Sequence, residues 1–329
     1  MIPIVIHGQA SFTTLLRMLR DWFKFMLSIP RHEPMSKTEK FVQWSSLLVY
    51  CLGGFTFLAV PKLYGIILNV EYTGRSEGYV RLVGLGVVEI GFLFIILARS
   101  TVRIHRYGTI LASVVSRLVW VPATGLMFIL RNMVPFTFAS VFMGLDVLLS
   151  LSTLFMWCRE RDGSSLGDFL KELLAPFREC HGMKVGGTIT AVFFVGLIQT
   201  IFWYVLAVRP DFAHKMFVLD DLDGLADGYL AAFLYLISIH GLYHVLCANN
   251  LNHPFALATV SYRVLLDTPV SLVLLLVDQM ERNLFLTIMS FNMFISTIFL
   301  AFLSRERLTI TNTREDPPDV QVPTVTGDN

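Results

Sequence analysis

The sequence predicts an all-α polytopic membrane protein of about eight transmembrane helices, built as two tandem four-helix repeats. Three observations predict it. The 329 residues have a mean hydropathy of +0.63, with 54% hydrophobic and 16% charged residues, where a soluble domain carries about a quarter charged. The missing charge is concentrated in separate apolar stretches of about 20 residues, the length an α-helix needs to cross ~30 Å of hydrocarbon. The third observation is self-similarity: a stretch beginning at residue 71 recurs at residue 221.

Residues 1–40 form a cytoplasmic segment. They lack a basic start followed by a small-residue cleavage site, so no cleavable signal peptide is expected. Within them Phe12, Leu15, Leu16, Leu19, Phe23, Met26 and Leu27 recur at helical spacing, with Arg17, Arg20, Asp21 and Lys24 between. That pattern is an amphipathic helix, lying either in the headgroup region or against the bundle. The first repeat covers 41–158, with spans expected over 42–60, 79–98, 109–130 and 137–157. A cytoplasmic linker, 159–184, leads to the second repeat at 185–303, with spans over 185–208, 229–247, 255–277 and 284–303. The tail 304–329 is polar, carries Pro317, Pro318 and Pro323, and is expected to be disordered. Lys and Arg in the connections number 17 on the side of the termini and 6 on the other, which places both termini in the cytoplasm. The endoplasmic reticulum is taken as the membrane. Net charge is +1, so nothing points to nucleic acid. Cys51, Cys158, Cys180 and Cys247 show neither a CxxC pair nor metal spacing.

The duplication rests on residues 71–80, EYTGRSEGYV, against 221–230, DLDGLADGYL, at an offset of 150. Gly91 then matches Gly241, and Ala98 matches Ala248. Further on the offset drops to 146, where Arg117 faces Arg263, each followed by a proline, Pro122 or Pro269. Asp146 falls opposite Asn292 and Ser150 opposite Ser296. An even number of spans per unit gives both halves the same orientation.

Ionisable side chains inside spans are costly and are functional candidates by default. Arg117 and Asp146 recur as polar residues in the second copy, so they are expected to serve shared packing as a structural ion pair. Arg263 has Asp267 at i+4 on its own face. Glu89, His240, His244 and Asp267 have no ionisable counterpart in the other copy, which makes them candidates for chemistry. Glu89 has no cation within a turn, so burial should keep it protonated as a proton donor. Asp267, held ionised by Arg263, is its expected helper, and His240 could re-supply that proton or take the final one. Trp120, Tyr243 and His244 are expected to line the substrate site. His240 and His244 in HGLYH have metal-ligand spacing, but no third ligand or second histidine cluster accompanies them, so no metal and no cofactor are expected. Asp220, Asp221, Asp223 and Asp227 superficially suggest a Mg²⁺–diphosphate motif, yet their repeat partner keeps only Glu71 and Glu77, which suits a solvated capping loop better.

Three function classes remain open: an enzyme on a lipophilic substrate, a small-molecule transporter and a non-catalytic scaffold. With the lipid bilayer and a lipophilic small molecule as expected partners, midplane acids among many aromatic side chains favour the enzyme, because a buried acid could protonate an olefin or epoxide and ring faces could stabilise the cation. Those aromatics equally suit lipid-facing and interfacial positions. Pro61, Gly84-Leu85-Gly86, Gly91 and Arg117 with Pro122 give each half a resemblance to DoxX-like four-helix membrane proteins. Over residues 42–303, length, span count and intramembrane carboxylates are similar to those of the eight-span membrane-bound terpene cyclases of fungal meroterpenoid pathways, the ascochlorin and ascofuranone type. That resemblance implies metal-independent cyclisation of a prenyl chain, often epoxidised; the DoxX-like resemblance implies a scaffold.

The charge asymmetry makes one prediction. Glycosylation acceptors inserted near Gly74 and Gly224 should be modified in microsomes and one near Ser164 should not; modification near Ser164 would reverse the orientation.

Overall fold

The computed structural model describes residues 34–72, 75–99, 108–160, 165, 167–171, 173, 187–220, 222, 225–247 and 253–313. The expected amphipathic segment at 12–27, Asp221, Asp223 and the tail from 314 lie outside the described residues, while 304–313, expected as the start of a disordered tail, continues the last helix, Arg282–Thr313. The bundle consists of α1 (Lys37–Ala59), α2 (Pro61–Leu68), α3 (Ser76–Arg99), α4 (Ile110–Leu130), α5 (Phe136–Glu160), α6 (Thr190–Val208), α7 (Pro210–Phe217), α8 (Ala226–Leu246), α9 (Ala256–Leu276) and α10 (Arg282–Arg305). Among the described residues, all but α2 and α7 are long and apolar enough to cross a membrane, giving eight spans.

Local chemistry sets the helix ends. The first span begins at Lys37 rather than Val42 because Ser36 and Glu39 form a capping box: the Ser36 hydroxyl accepts from the Glu39 N–H, and the Glu39 carboxylate accepts from the Ser36 N–H. The Glu160 carboxylate, at the end of α5, accepts from the Lys37 N–H, from the Thr38 N–H at 3.1 Å and from the Thr38 hydroxyl at 2.6 Å. An anion thus satisfies the free donors of the α1 N-terminus and pins α1 to α5 at the face that carries the termini. At the other end Pro61 cannot continue α1, and Val60 leaves the helical region at φ −135°, ψ 60°. Arg81 covers the carbonyls left open there, donating to Leu58 at 2.5 Å and Ala59 at 3.2 Å while paired with Glu77 at 2.9 Å. Arg131 does the same for Val208 at the end of α6, at 2.7 Å.

The segments 61–68 and 210–217, expected as loops, are short helices, each headed by a proline at its first position. They are part of a structural repeat that is closer than the sequence match. Among the described residues, the non-glycine residues at positive φ are Asn69 (51°) and Val218 (53°), Asn132 (55°) and Asp278 (58°). They fall into two pairs, one ending α2 and α7, the other ending α4 and α9. Both α4 and α9 widen into a π-helical turn, at Ser116–Trp120 and Arg263–Asp267, just before Pro122 and Pro269. A proline's missing N–H and ring favour such a widening.

Helices α3 and α8 are the centre of the bundle: 78% of the most apolar window of each is buried, against 22–44% in the other six spans. Glycine permits the close crossings. Gly54 on α1 faces Gly84 on α3, and Gly196 on α6 faces Gly241 on α8, each so near that a Cβ would stand under 3.0 Å from the opposing backbone. The halves also interlock reciprocally. The Gln279 carbonyl after α9 lies against Gly78 at the start of α3, and the Met133 carbonyl after α4 lies against Gly228 at the start of α8. Arg75 reinforces one of these seams through Glu281 at 2.7 Å.

Two stability predictions follow from this interlock. Gly78→Ala or Gly228→Ala should each destabilise the protein by about 1–3 kcal/mol, read as a lower midpoint of thermal unfolding in detergent. Val218 occupies a left-handed conformation that its counterpart Asn69 tolerates far better; Val218→Asn should therefore stabilise by about 1 kcal/mol in the same measurement.

Candidate functional site

The first repeat encloses a cavity of about 280 Å³ bounded by α1, α2, α4 and α5, with α3 and α8 behind it. It runs from Leu68 and Val134, near the ends of α2 and α4, to Tyr50, Ser116, Arg117, Asp146 and Tyr243 at mid-depth. From Phe138 to Asp146 along α5 this is about 12 Å at ~1.5 Å per residue. Side chains of Phe57, Tyr64, Phe94, Phe128, Phe138 and Phe142 contribute an aromatic part to a wall that is otherwise mainly aliphatic. Ile67, Val141 and Leu145 line it and are also 65%, 45% and 40% exposed, so the cavity reaches the lipid-facing surface beside α5.

The repeat explains why the space exists. Aligning Pro61 with Pro210 places Gly53 and Gly54 opposite Phe202 and Trp203, and Leu68 opposite Phe217. In the second half Trp203 is fully buried against Phe217 and Phe291, with ring centroids 5.9 and 5.2 Å away. Phe291 in turn is the counterpart of Leu145. In the first half the same positions, Gly54, Leu68 and Leu145, all lie on the cavity wall. An indole and two phenyl rings fill one copy; a glycine and two leucines leave the other open.

The inner end of the cavity is polar. The Tyr50 hydroxyl donates to Asp146 Oδ1. Arg117 donates to the Ser113 carbonyl and hydroxyl, both at 3.3 Å, and lies over the Phe94 ring at 5.0 Å. The Tyr243 hydroxyl donates to Ser116 at 3.2 Å. The expected partners Arg117 and Asp146 meet at this end with Tyr50 between them: Tyr50 bonds the carboxylate, and the Arg117 charge acts on both. Asp146 is only half-buried and faces the cavity, so it has a position suited to chemistry. Tyr50 could not be singled out from sequence, since one tyrosine in an apolar span carries no signal of its own.

Glu89, Asp267 and His240 do come together, but elsewhere. They form a second, close-packed cluster with Gln199, Tyr262, Arg263 and Asn292, around a residual space of only about 10 Å³. Arg263 donates to Asn292 Oδ1 at 2.7 Å and Gln199 Oε1 at 3.2 Å, while the Asn292 amide donates to Asp267. The expected i, i+4 contact of Arg263 with Asp267 is thus relayed through Asn292. His240 Nδ1 stands 3.5 Å from Glu89 Oε2. Glu89, Asp267 and His240 thus stand together as expected of a shared site, but around a space of only about 10 Å³ and apart from the cavity. Of the expected substrate residues only Tyr243 lines the cavity. Trp120 packs on Tyr204 with centroids 4.8 Å apart, across the seam between the halves. His244 shares a 3.2 Å hydrogen bond with Thr259 and lies edge-on to Phe299, a core histidine. Asp227 pairs with His214 at 2.6 Å and Asp220 with Arg75 at 3.4 Å, so both belong to loop packing.

The two clusters are related by the repeat. Ile90 and Ile239, which line the cavity, correspond to His240 and Glu89, which line the second cluster. Tyr50, Arg117 and Asp146 correspond to Gln199, Arg263 and Asn292. Fold and site together define an all-α polytopic membrane protein with two equivalent intramembrane sites, one open and apolar, one closed and polar. No family model, curated protein or solved structure matches the chain.

Gly53 offers a direct probe of the cavity, which it lines, since a Cβ added there meets nothing within 4 Å. Gly53→Trp should leave the unfolding midpoint near that of the wild type. It should weaken binding of a fluorescent prenyl-chain probe at least about tenfold, a loss of ~1.4 kcal/mol.

Proposed function

We propose that the protein is a membrane enzyme acting on a lipophilic, isoprenoid-type substrate, a metal-independent cyclase that starts its reaction by protonating an olefin or epoxide. The observation that carries this reading is the apolar cavity of about 280 Å³ that ends on the Tyr50–Asp146 pair. A prenyl chain enters sideways from the bilayer past Val141 and Leu145 and folds within the apolar wall, its reactive end against Asp146. Tyr50 holds Oδ1, leaving Oδ2 to carry the proton. Transfer of that proton to an epoxide oxygen opens a C–O bond, and the π electrons of a neighbouring olefin form the new C–C bond. Ring faces of Phe57 and Phe138, away from Arg117, stabilise the developing cation. Loss of a proton from the cyclised cation back to Asp146 restores the acid, so the product has the mass of the substrate. The charge asymmetry of the loops supports cytoplasmic termini, and the endoplasmic reticulum is taken as the membrane. The lateral opening also suits a non-catalytic lipid carrier, which would use the same cavity without the proton transfer.

The test uses the full chain in lipid nanodiscs with prenylated aromatic compounds bearing a terminal epoxide. Cyclisation is expected as a product of unchanged mass, shifted retention and a ring-closed NMR spectrum. Asp146→Asn should still bind but turn over about 10²-fold slower or worse. Near wild-type turnover in Asp146→Asn removes it as the acid, and binding without any product from the wild type identifies a carrier.

A further inference from the structure

The closed cluster in the second repeat has no part in the proposed reaction, and its polar atoms do not balance. Arg263 spends both terminal nitrogens on Asn292 and Gln199, and Asp267 is held by Asn292 and Ser271. Four buried polar atoms make no well-formed hydrogen bond: Glu89 Oε1, His240 Nε2, Tyr262 Oη and Arg263 Nε, the Arg263 guanidinium lying close enough to the Tyr262 hydroxyl to interact with it. All four side chains line the same residual space of about 10 Å³. Glu89, His240 and Arg263 are at most 4% exposed, as is Tyr262.

Unpaired polar atoms in a buried site are rare and each calls for a physical explanation. A space of roughly 10–15 Å³ for probe-sized centres holds one water, provided two to four polar partners surround it. Here the partners are complementary: a carboxylate oxygen accepts, a guanidinium Nε–H donates, and a phenol hydroxyl does either. A metal cation fits this set poorly, because the Arg263 guanidinium forms part of the wall.

We propose that this cluster is a binding site for a single, permanently held water molecule, bonded to Glu89 Oε1, the Tyr262 hydroxyl and Arg263 Nε. The water joins α3 of the first repeat to α9 of the second across the seam between the halves. At the equivalent positions of the open site stand the apolar side chains of Ile90 and Ile239. Removing any one of the three protein partners leaves the water under-coordinated inside the bundle.

The experiment is a structure of the full chain in a lipid mesophase at a resolution that shows ordered waters, with infrared spectra of wild type and variants after deuterium exchange. One density peak within hydrogen-bonding distance of Glu89 and Tyr262 or Arg263 is expected, with a narrow O–D stretching band of a buried water. Tyr262→Phe should remove or shift that band and lower the unfolding midpoint by a few degrees, whereas Glu89→Gln, which still offers an acceptor, should keep the water and shift the band. A dry cluster with Glu89 bonded directly to Arg263, a metal ion in the peak, or a wild-type spectrum without the band overturns the proposal. If Tyr262→Phe does not fold, the wild-type density and the Glu89→Gln band decide the matter.

Discussion

The whole arrangement depends on backbone meeting backbone at glycine. Within a bilayer, lipid is as apolar as any core, so helices gain little by hiding apolar surface from it and associate through close packing instead. In this protein that packing is concentrated on α3 and α8. Glycines at 84 and 241 let α1 and α6 approach them, and glycines at 78 and 228 accept a carbonyl from the opposite repeat. Each half therefore supplies the surface on which the other closes, and both intramembrane sites form on the flanks of that central pair.

Duplication then provides two sites from one plan, and side-chain volume separates them. Trp203, Phe217 and Phe291 fill the second site, leaving room for little besides its own polar groups. Gly53, Gly54 and Leu68 leave the first open. Polarity is divided in the same way. The central helices present Ile90 and Ile239 to the open site and His240 and Glu89 to the closed one, so the apolar copy has room for a lipid chain while the polar copy is packed shut.

The placement of charge follows from its cost in hydrocarbon. Arg81 and Arg131 sit where helix ends leave carbonyls without partners, Arg75 bridges to Glu281 at a seam, and Arg117 and Arg263 occupy the π-helical turns that face the two sites. Arg75 and Arg81, near the helix ends, pair with Glu281 and Glu77, whereas Arg117 and Arg263, deeper in the bundle, donate to uncharged groups. Carbonyls, hydroxyls and amides satisfy this deeper pair, which leaves Asp146 bound by Tyr50 and available to the cavity.

The sequence by itself determined the eight spans, their division into two repeats and the set of ionisable residues inside the membrane. Those features rest on hydropathy and spacing along one chain, and both are local quantities. The start of α1 and the short helices after Pro61 and Pro210 were also written locally, in a capping box and in proline positions, although hydropathy alone passes over them. Which intramembrane acid faces an open space was decided only by the tertiary structure. Glu89 and Asp146 look alike in sequence, each a lone acid in an apolar helix. One meets His240 and Arg263 in a packed seam, the other meets Tyr50 beside a void, because the volumes of residues 54 and 203, on different helices of different repeats, are set against each other only when the two halves close.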